Sequence, residues 1–173
     1  YVYDFPLYIP AGYSLGGRCR KTGATAVTTG TFIIWAYGKP KYPSRVWAGS
    51  GVESLGIDEA NSKGTAVTPG STGAYGTYAD IGTSTKRYRA MQLSFQGNSG
   101  TTLARAYHAK VGVGGNPVPG LPTIAGNFTT AELGGREMSG HIDCDIPSGT
   151  ALQIGATSSG TADVLNAAIY GVY

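Results

Sequence analysis

Charge is the scarcest property of this 173-residue chain: Asp, Glu, Lys and Arg make up 13% of it, about half the share usual for soluble domains. Met, Cys, His and Trp occur twice each. Two cysteines exclude a framework of several disulfides, and Cys19 and Cys144 have no four-ligand pattern around them that would suit zinc. Two buried free thiols are the simplest expectation, with a Cys19–Cys144 bridge as the alternative. No apolar stretch approaches the roughly 18 residues that cross a bilayer, and no charged segment followed by an apolar one opens the chain. The expectation is a soluble protein without a membrane partner. The first residue is Tyr rather than Met, which points to numbering that begins after a processed or unseen segment.

Helical periodicity is equally scarce. Gly, Thr, Ser and β-branched residues interrupt every candidate window longer than about ten residues. What the chain has in abundance is glycine, 28 residues, together with 9 Pro, 12 Tyr and an apolar share of 41%. That apolar share argues against disorder, and the glycines then read as punctuation between short strands. The low charge leaves Ser, Thr, Gly, Asn and Tyr to cover the surface, a composition suited to contact with other protein copies. The net charge of +3 is spread over three small groups, Arg18/Arg20/Lys21, Lys39/Lys41/Arg45 and Lys86/Arg87/Arg89. Nucleic-acid proteins concentrate their charge more than this, so nucleic acid is not the expected partner.

Strands are expected over Val2–Ile9, Ser14–Arg20, Thr31–Tyr37, Tyr88–Gln96, Ala104–Val113, Glu137–Asp145, Ala151–Ala156 and Val164–Val172. Arg89–Gln96 alternates as a half-buried strand, whereas Phe32–Tyr37 is apolar throughout and belongs in a central strand or a subunit contact. Pro40 and Pro43 take the chain out of the sheet, and residues 39–80 read as a long loop-rich excursion. About eight unevenly spaced strands fit one all-β domain over residues 1–173, a jelly-roll-like β-sandwich with long loops.

One motif occurs twice. Ile9-Pro10-Ala11-Gly12 with Leu15 three residues on recurs as Ile146-Pro147-Ser148-Gly149 with Leu152. Pro fixes its φ angle, Gly supplies a positive φ, and the residues after them re-enter a sheet. The first copy closes in Ile34–Gly38 and the second in Ala167–Gly171. Two copies are too few for a solenoid, so they suggest pseudo-symmetry within one domain.

Residues 9–18 (IPAGYSLGGR), 146–156 (IPSGTALQIGA) and 166–172 (NAAIYGV) resemble the hairpins of small β-rich virion proteins of tailed bacteriophages. The Gly-, Thr- and Tyr-rich middle is similar to them in composition. The likeness runs loosely from Ile9 to Tyr173 and departs where Arg18 and Arg20 face Gly155 and Thr157 of the second copy. It implies a non-enzymatic head-decoration or cement protein that binds the outer capsid shell and bridges its subunits, or else a receptor- or glycan-binding module at a tail or fibre tip. The implied location is the virion, on the capsid surface or the tail. The implied partners are the major capsid protein or other virion proteins, with the chain itself a symmetric homo-oligomer, a trimer ahead of a dimer. No cofactor is implied.

Residues that could carry chemistry are few. His141, Asp143 and Asp145 alternate along one strand face and offer one nitrogen and two oxygen ligands, a weak metal candidate beside the plainer reading of a solvated strand face. His108 should face away from Tyr107 and has no identifiable nucleophile to serve. No Gly-x-Ser-x-Gly elbow occurs, and Asp58, Glu59, Glu132 and Glu137 are too scattered for paired-carboxylate chemistry. Val111–Pro117 is glycine-rich but lacks the Lys-Ser or Lys-Thr ending of a phosphate loop. Asn127-Phe128-Thr129 matches a glycosylation acceptor only by pattern. The aromatics could form a sugar-stacking platform, although core and interface packing is the first expectation for each. Residues 1–8 form the expected interface arm, with Tyr1, Tyr3, Phe5 and Tyr8 the contact residues, joined by Trp35 and Trp47, because so apolar an edge demands a cover.

Overall fold

A computed structural model describes residues 9–16, 33, 49–57, 64–71, 73–97, 105–128, 136–159 and 164–173. These residues form eleven strands: β1 Val52–Leu55, β2 Thr65–Val67, β3 Ala79–Thr83, β4 Tyr88–Gly97, β5 Arg105–Val113, β6 Asn116–Pro117, β7 Ile124–Phe128, β8 Arg136–Met138, β9 Ile142–Ile146, β10 Ala151–Ser158 and β11 Leu165–Val172. No helix occurs among them, and so none long and apolar enough to cross a membrane.

Two antiparallel sheets pack as a sandwich. In the first, β11 pairs with β1, β2 and β4, and β4 pairs with β8 and β9; in the second, β10 pairs with β3 and β5, and β5 pairs with β6 and β7. The chain passes from β1 and β2 to β3, back to β4, over to β5 and β7, and back to β9, β10 and β11 on alternate sheets. Strand orders β1-β11-β4-β9 and β3-β10-β5-β7 with this path make the fold a jelly roll. The expected all-β sandwich is therefore the architecture.

The core lies between the sheets, where Tyr88, Met91, Leu93 and Phe95 of β4 and Leu165, Ala167 and Ile169 of β11 meet Tyr107, Ala109 and Val111 of β5 and Leu152, Ile154 and Ala156 of β10. Period-2 alternation puts each of these sets on one face, with Tyr88 joining Met91, Leu93 and Phe95 across a register shift between Tyr88 and Ala90. The first sheet departs from the expected half-buried pattern, because Ala90, Gln92 and Ser94 on the other face of β4 are buried as well, and all eight residues of β11 are. Alternation of residue type along β4 marks which side chains face the sandwich core; it does not mark exposure. Gly171 has a specific job there: a Cβ at this position would run into the Tyr88 ring, which fills the space against β11.

Strands were expected at β4, β5, β10 and β11, and the chain forms them there. The expected run Glu137–Asp145 is instead broken into β8 and β9. Ser139 stands at the break, its N–H donating to Leu93 O at 2.7 Å and its Oγ accepting from Leu93 N at 2.8 Å. The side chain thus takes a place in the ladder that a carbonyl would fill. The loop-rich excursion expected over residues 39–80 holds β1, β2 and the start of β3, which are three to five residues each and so carry little periodic signal. Of the expected strands Val2–Ile9, Ser14–Arg20 and Thr31–Tyr37, only Ile9, residues 14–16 and Ile33 are among the described residues, and none of these is in a strand.

Candidate functional site

The two copies of the Ile-Pro-x-Gly motif form the same turn. Gly12 has φ 87° and Gly149 has φ 84°, the left-handed conformation that glycine takes without steric cost. Their surroundings differ completely. The second copy is the corner that carries the chain from β9 in one sheet to β10 in the other. Ser84, buried at the end of β3, latches it: its Oγ donates to Pro147 O at 2.9 Å and accepts from Thr150 N at 3.1 Å. Its backbone N–H donates to Thr150 O and its carbonyl accepts from Gly149 N at 2.7 Å. Ile146 and Leu152 on either side of the turn are 5% and 1% exposed.

In the first copy all eight residues from Ile9 to Gly16 are exposed. Ile9 is 42%, Tyr13 71% and Leu15 51% exposed, and with Ile33 and Val113 they are the exposed large apolar side chains of the described residues. Single exposed hydrophobes are ordinary; here three fall within seven residues on one turn. The sequence marks this turn through its glycine and proline, but the reading of Ser14–Arg20 as a returning strand concealed its exposure.

Asp143 and Asp145 share the outward face of β9, with Ile142 and Ile146 buried on the other side, whereas His141 precedes the strand and its side chain is only 9% exposed. Their partners decide what they can do. Arg87 clamps Asp145 with two bonds, Nε to Oδ1 at 2.7 Å and Nη2 to Oδ2 at 2.6 Å, and Arg89 stands 3.6 Å away. The hydrogen bonds from Arg87 and its charge hold the Asp145 carboxyl below its ordinary value, and those same contacts raise the guanidinium. His141 Nε2 lies 3.1 Å from Asp143 Oδ1. A cation would have to displace Arg87, and no group of three His, Cys, Asp or Glu side chains among the described residues is placed to hold a metal ion. The face is an ion-paired strand surface.

Cys144, half-buried between these acids, is a free thiol. Burial first, then the negative charges of Asp145 and Asp143, push it up to about 12, so it has little thiolate to act as a nucleophile or ligand. His108 is exposed on β5, opposite Thr157 and Ala125 in register and on the other face from buried Tyr107. No ion pair joins it to a carboxylate among the described residues. Val111–Pro117 is the end of β5, a two-residue hairpin turn and β6, with the turn residues Gly114 and Gly115 at φ 60° and 79°, the turn type whose twist matches the strands. Glu137 falls on β8 and Asn127 on β7. Cys19, Asp58, Glu59 and Glu132 lie outside the described residues, as do the six expected interface aromatics Tyr1, Tyr3, Phe5, Tyr8, Trp35 and Trp47.

One polar constellation had no signal in the sequence. Glu53 on β1 accepts from the Tyr88 hydroxyl at 2.5 Å, from Thr85 N at 3.0 Å and from Thr85 Oγ1 at 2.7 Å. Burial pushes its carboxyl upward, but the bonds from Tyr88, Thr85 and the Lys86 backbone outweigh it and leave the carboxyl lowered. Tyr88 is raised by burial and by the adjacent carboxylate, so the phenol remains a donor. The arrangement ties β1 to the β3–β4 turn.

No family model, curated protein or solved structure matches this chain.

Proposed function

We propose that this chain is a non-enzymatic structural protein of a virus-like particle, a decoration or cement protein that binds the outer shell and bridges neighbouring subunits. The observation that carries the reading is the contrast between two copies of one turn. The corner at Ile146–Leu152 buries its apolar side chains in its own sandwich, whereas the copy at Ile9–Leu15 presents Ile9, Tyr13 and Leu15 to the outside. Each such side chain contributes roughly 1.5–3 kcal/mol when fully removed from water. A modest contact of this size becomes strong when many copies engage one lattice together. The jelly roll supports the reading by analogy, since shell proteins of viruses use it repeatedly, though lectins do too.

Cosedimentation with assembled, undecorated phage shells tests the proposal, with the mass of the free protein measured alongside. Saturable binding at lattice stoichiometry is expected, changing little with salt because the contact is apolar. The double variant Tyr13→Ser, Leu15→Ser is expected to weaken binding by about tenfold or more while leaving thermal unfolding unchanged. Absence of saturable binding, or a variant that binds as well as the parent, overturns it.

A second reading, a receptor-binding module at a tail or fibre tip, is favoured by a pair of tyrosines, Tyr75 and Tyr78, on the outer face of the second sheet.

A further inference from the structure

The outer face of the second sheet is a small grid of side chains. Register sets Asp80 beside Gln153 and Gln153 beside Gly112; Gly155 lies beside Lys110; and Thr157 lies beside His108. The two glycines leave a shallow bed on this grid, and the Tyr78 ring lies in it. A Cβ at Gly155 would come 2.7 Å from Tyr78 Cζ, and one at Gly112 would enter the same ring. Tyr75 packs on Tyr78 with ring centroids 6.5 Å apart and planes inclined by 26°. The Lys110 ammonium sits over the Tyr75 ring, 5.3 Å from its centroid.

The chain that delivers Tyr75 is pinned to the sheet. Gly70 N and Gly76 N both donate to Ala156 O at 2.9 Å, and Thr157 Oγ1 donates to Ser71 O at 2.9 Å. Gly70 and Gly76 approach so closely that a Cβ on either would strike the other's backbone nitrogen. The polar neighbours are fixed as well: Gln153 Nε2 donates to Asp80 Oδ1 at 2.5 Å, and Gln153 Oε1 accepts from Gly115 N at 2.7 Å.

A tyrosine laid over glycines covers the backbone of a sheet, which accounts for Tyr78. It does not account for Tyr75, which packs on Tyr78 and is held there by Lys110 and by a loop closed on two glycines. Both tyrosines are only half-buried, so the pair offers ring surface on a sheet face that also carries the carboxylate of Asp80, the amide of Gln153, the ammonium of Lys110 and the imidazole of His108. The apolar C–H face of a pyranose stacks on such rings while its hydroxyls reach the polar groups, and a site held rigid in advance costs little to order. A polyanionic strand fits less well, because the grid carries a single lysine, Lys110, with the carboxylate of Asp80 on the same face, and no basic track leads away from it among the described residues.

We propose that Tyr75 and Tyr78, with Asp80, His108, Lys110 and Gln153 on the same sheet face, form a saccharide-binding site. It gives a particle-bound protein a second surface, facing away from the core on the sheet formed by β3, β10, β5, β6 and β7, and it does not depend on the contact made by the Ile9–Leu15 turn.

Titration of the isolated protein with cellotetraose, chitotetraose and lactose, followed by tyrosine fluorescence and by nuclear magnetic resonance shifts, tests it without any viral shell. Saturable binding of at least one of them is expected. Tyr75→Ala should weaken it by about tenfold or more and Asp80→Asn by a smaller factor, while Tyr75→Phe keeps it within about threefold. Circular dichroism and thermal unfolding of Tyr75→Ala should match the parent, since Tyr75 lies outside the sandwich core. No binding to any of the three sugars, binding indifferent to Tyr75→Ala, or salt-sensitive binding of oligo-dT in their place overturns the proposal.

Discussion

Glu53 shows how much a single acceptor does in a chain this poor in charge. It receives three hydrogen bonds from Thr85 and Tyr88, residues 32 and 35 positions later in the chain, and nothing in the local sequence around Val52-Glu53-Ser54 marks it as different from a solvated strand carboxylate. Its folded-state carboxyl is lowered, so the unfolded chain binds the proton more readily and the stability Glu53 contributes is present above the ordinary value of 4.5 and lost as pH falls below it. Glu53→Gln removes the charge but keeps an acceptor, and should cost about 1 kcal/mol at neutral pH. Urea unfolding from pH 7 down to pH 3 should show the difference between parent and variant shrinking over the acid range; a constant difference would assign the loss to packing instead. The candidate metal face of β9 illustrates the opposite case: alternation correctly put Asp143 and Asp145 on one side, but the arginine that claims Asp145 comes from 58 positions earlier and could not be read from spacing.

Among the elements, the legible ones were those with several consecutive β-forming residues between glycine or proline turns. β4, β5, β10 and β11 meet that description. β1, β2, β3 and β7 are three to five residues each, and their identity as strands comes from long-range partners: β1 and β2 exist because β11 offers them an edge. The repeated turn was legible as a repeat, and the common φ of Gly12 and Gly149 bears out its geometry, but which copy would be internal was not, because the decision belongs to Ser84, far from both in sequence. Ser84 carries four hydrogen-bonding roles at the corner between the sheets. Ser84→Ala should therefore leave Thr150 N–H without its partner and cost about 1–3 kcal/mol, seen as a lower midpoint in urea with an unchanged slope. Loss of less than a few tenths of a kcal/mol would show that the corner is held by its backbone bonds alone.

For the molecule as a whole, composition and turn residues indicated an all-β sandwich, since a chain without helical periodicity and rich in glycine and tyrosine has few other ways to bury its apolar third and more. Strand order was beyond reach, because in a jelly roll most neighbour relations, the β5–β6 hairpin apart, are set by register between distant segments and not by local pattern. Of the two interior strands in each sheet, β4 and β11 in the first and β5 and β10 in the second, β10 and β11 are the last two of the eleven. That order has a consequence for how the protein comes into being. While the ribosome is still making the chain, β4 can pair with β8 and β9 and β5 with β6 and β7, but β4 and β5 each keep an open edge and β1, β2 and β3 have no partner, so the finished sandwich cannot assemble until Ala151–Val172 has emerged. Synthesis in this order exposes pairing edges for the longest time, which is when a chaperone or a second nascent chain would find them. A chain stopped after Gly149 should show no cooperative unfolding transition by circular dichroism, and the complete chain should refold slowly, in the milliseconds-to-seconds range of non-local β folds.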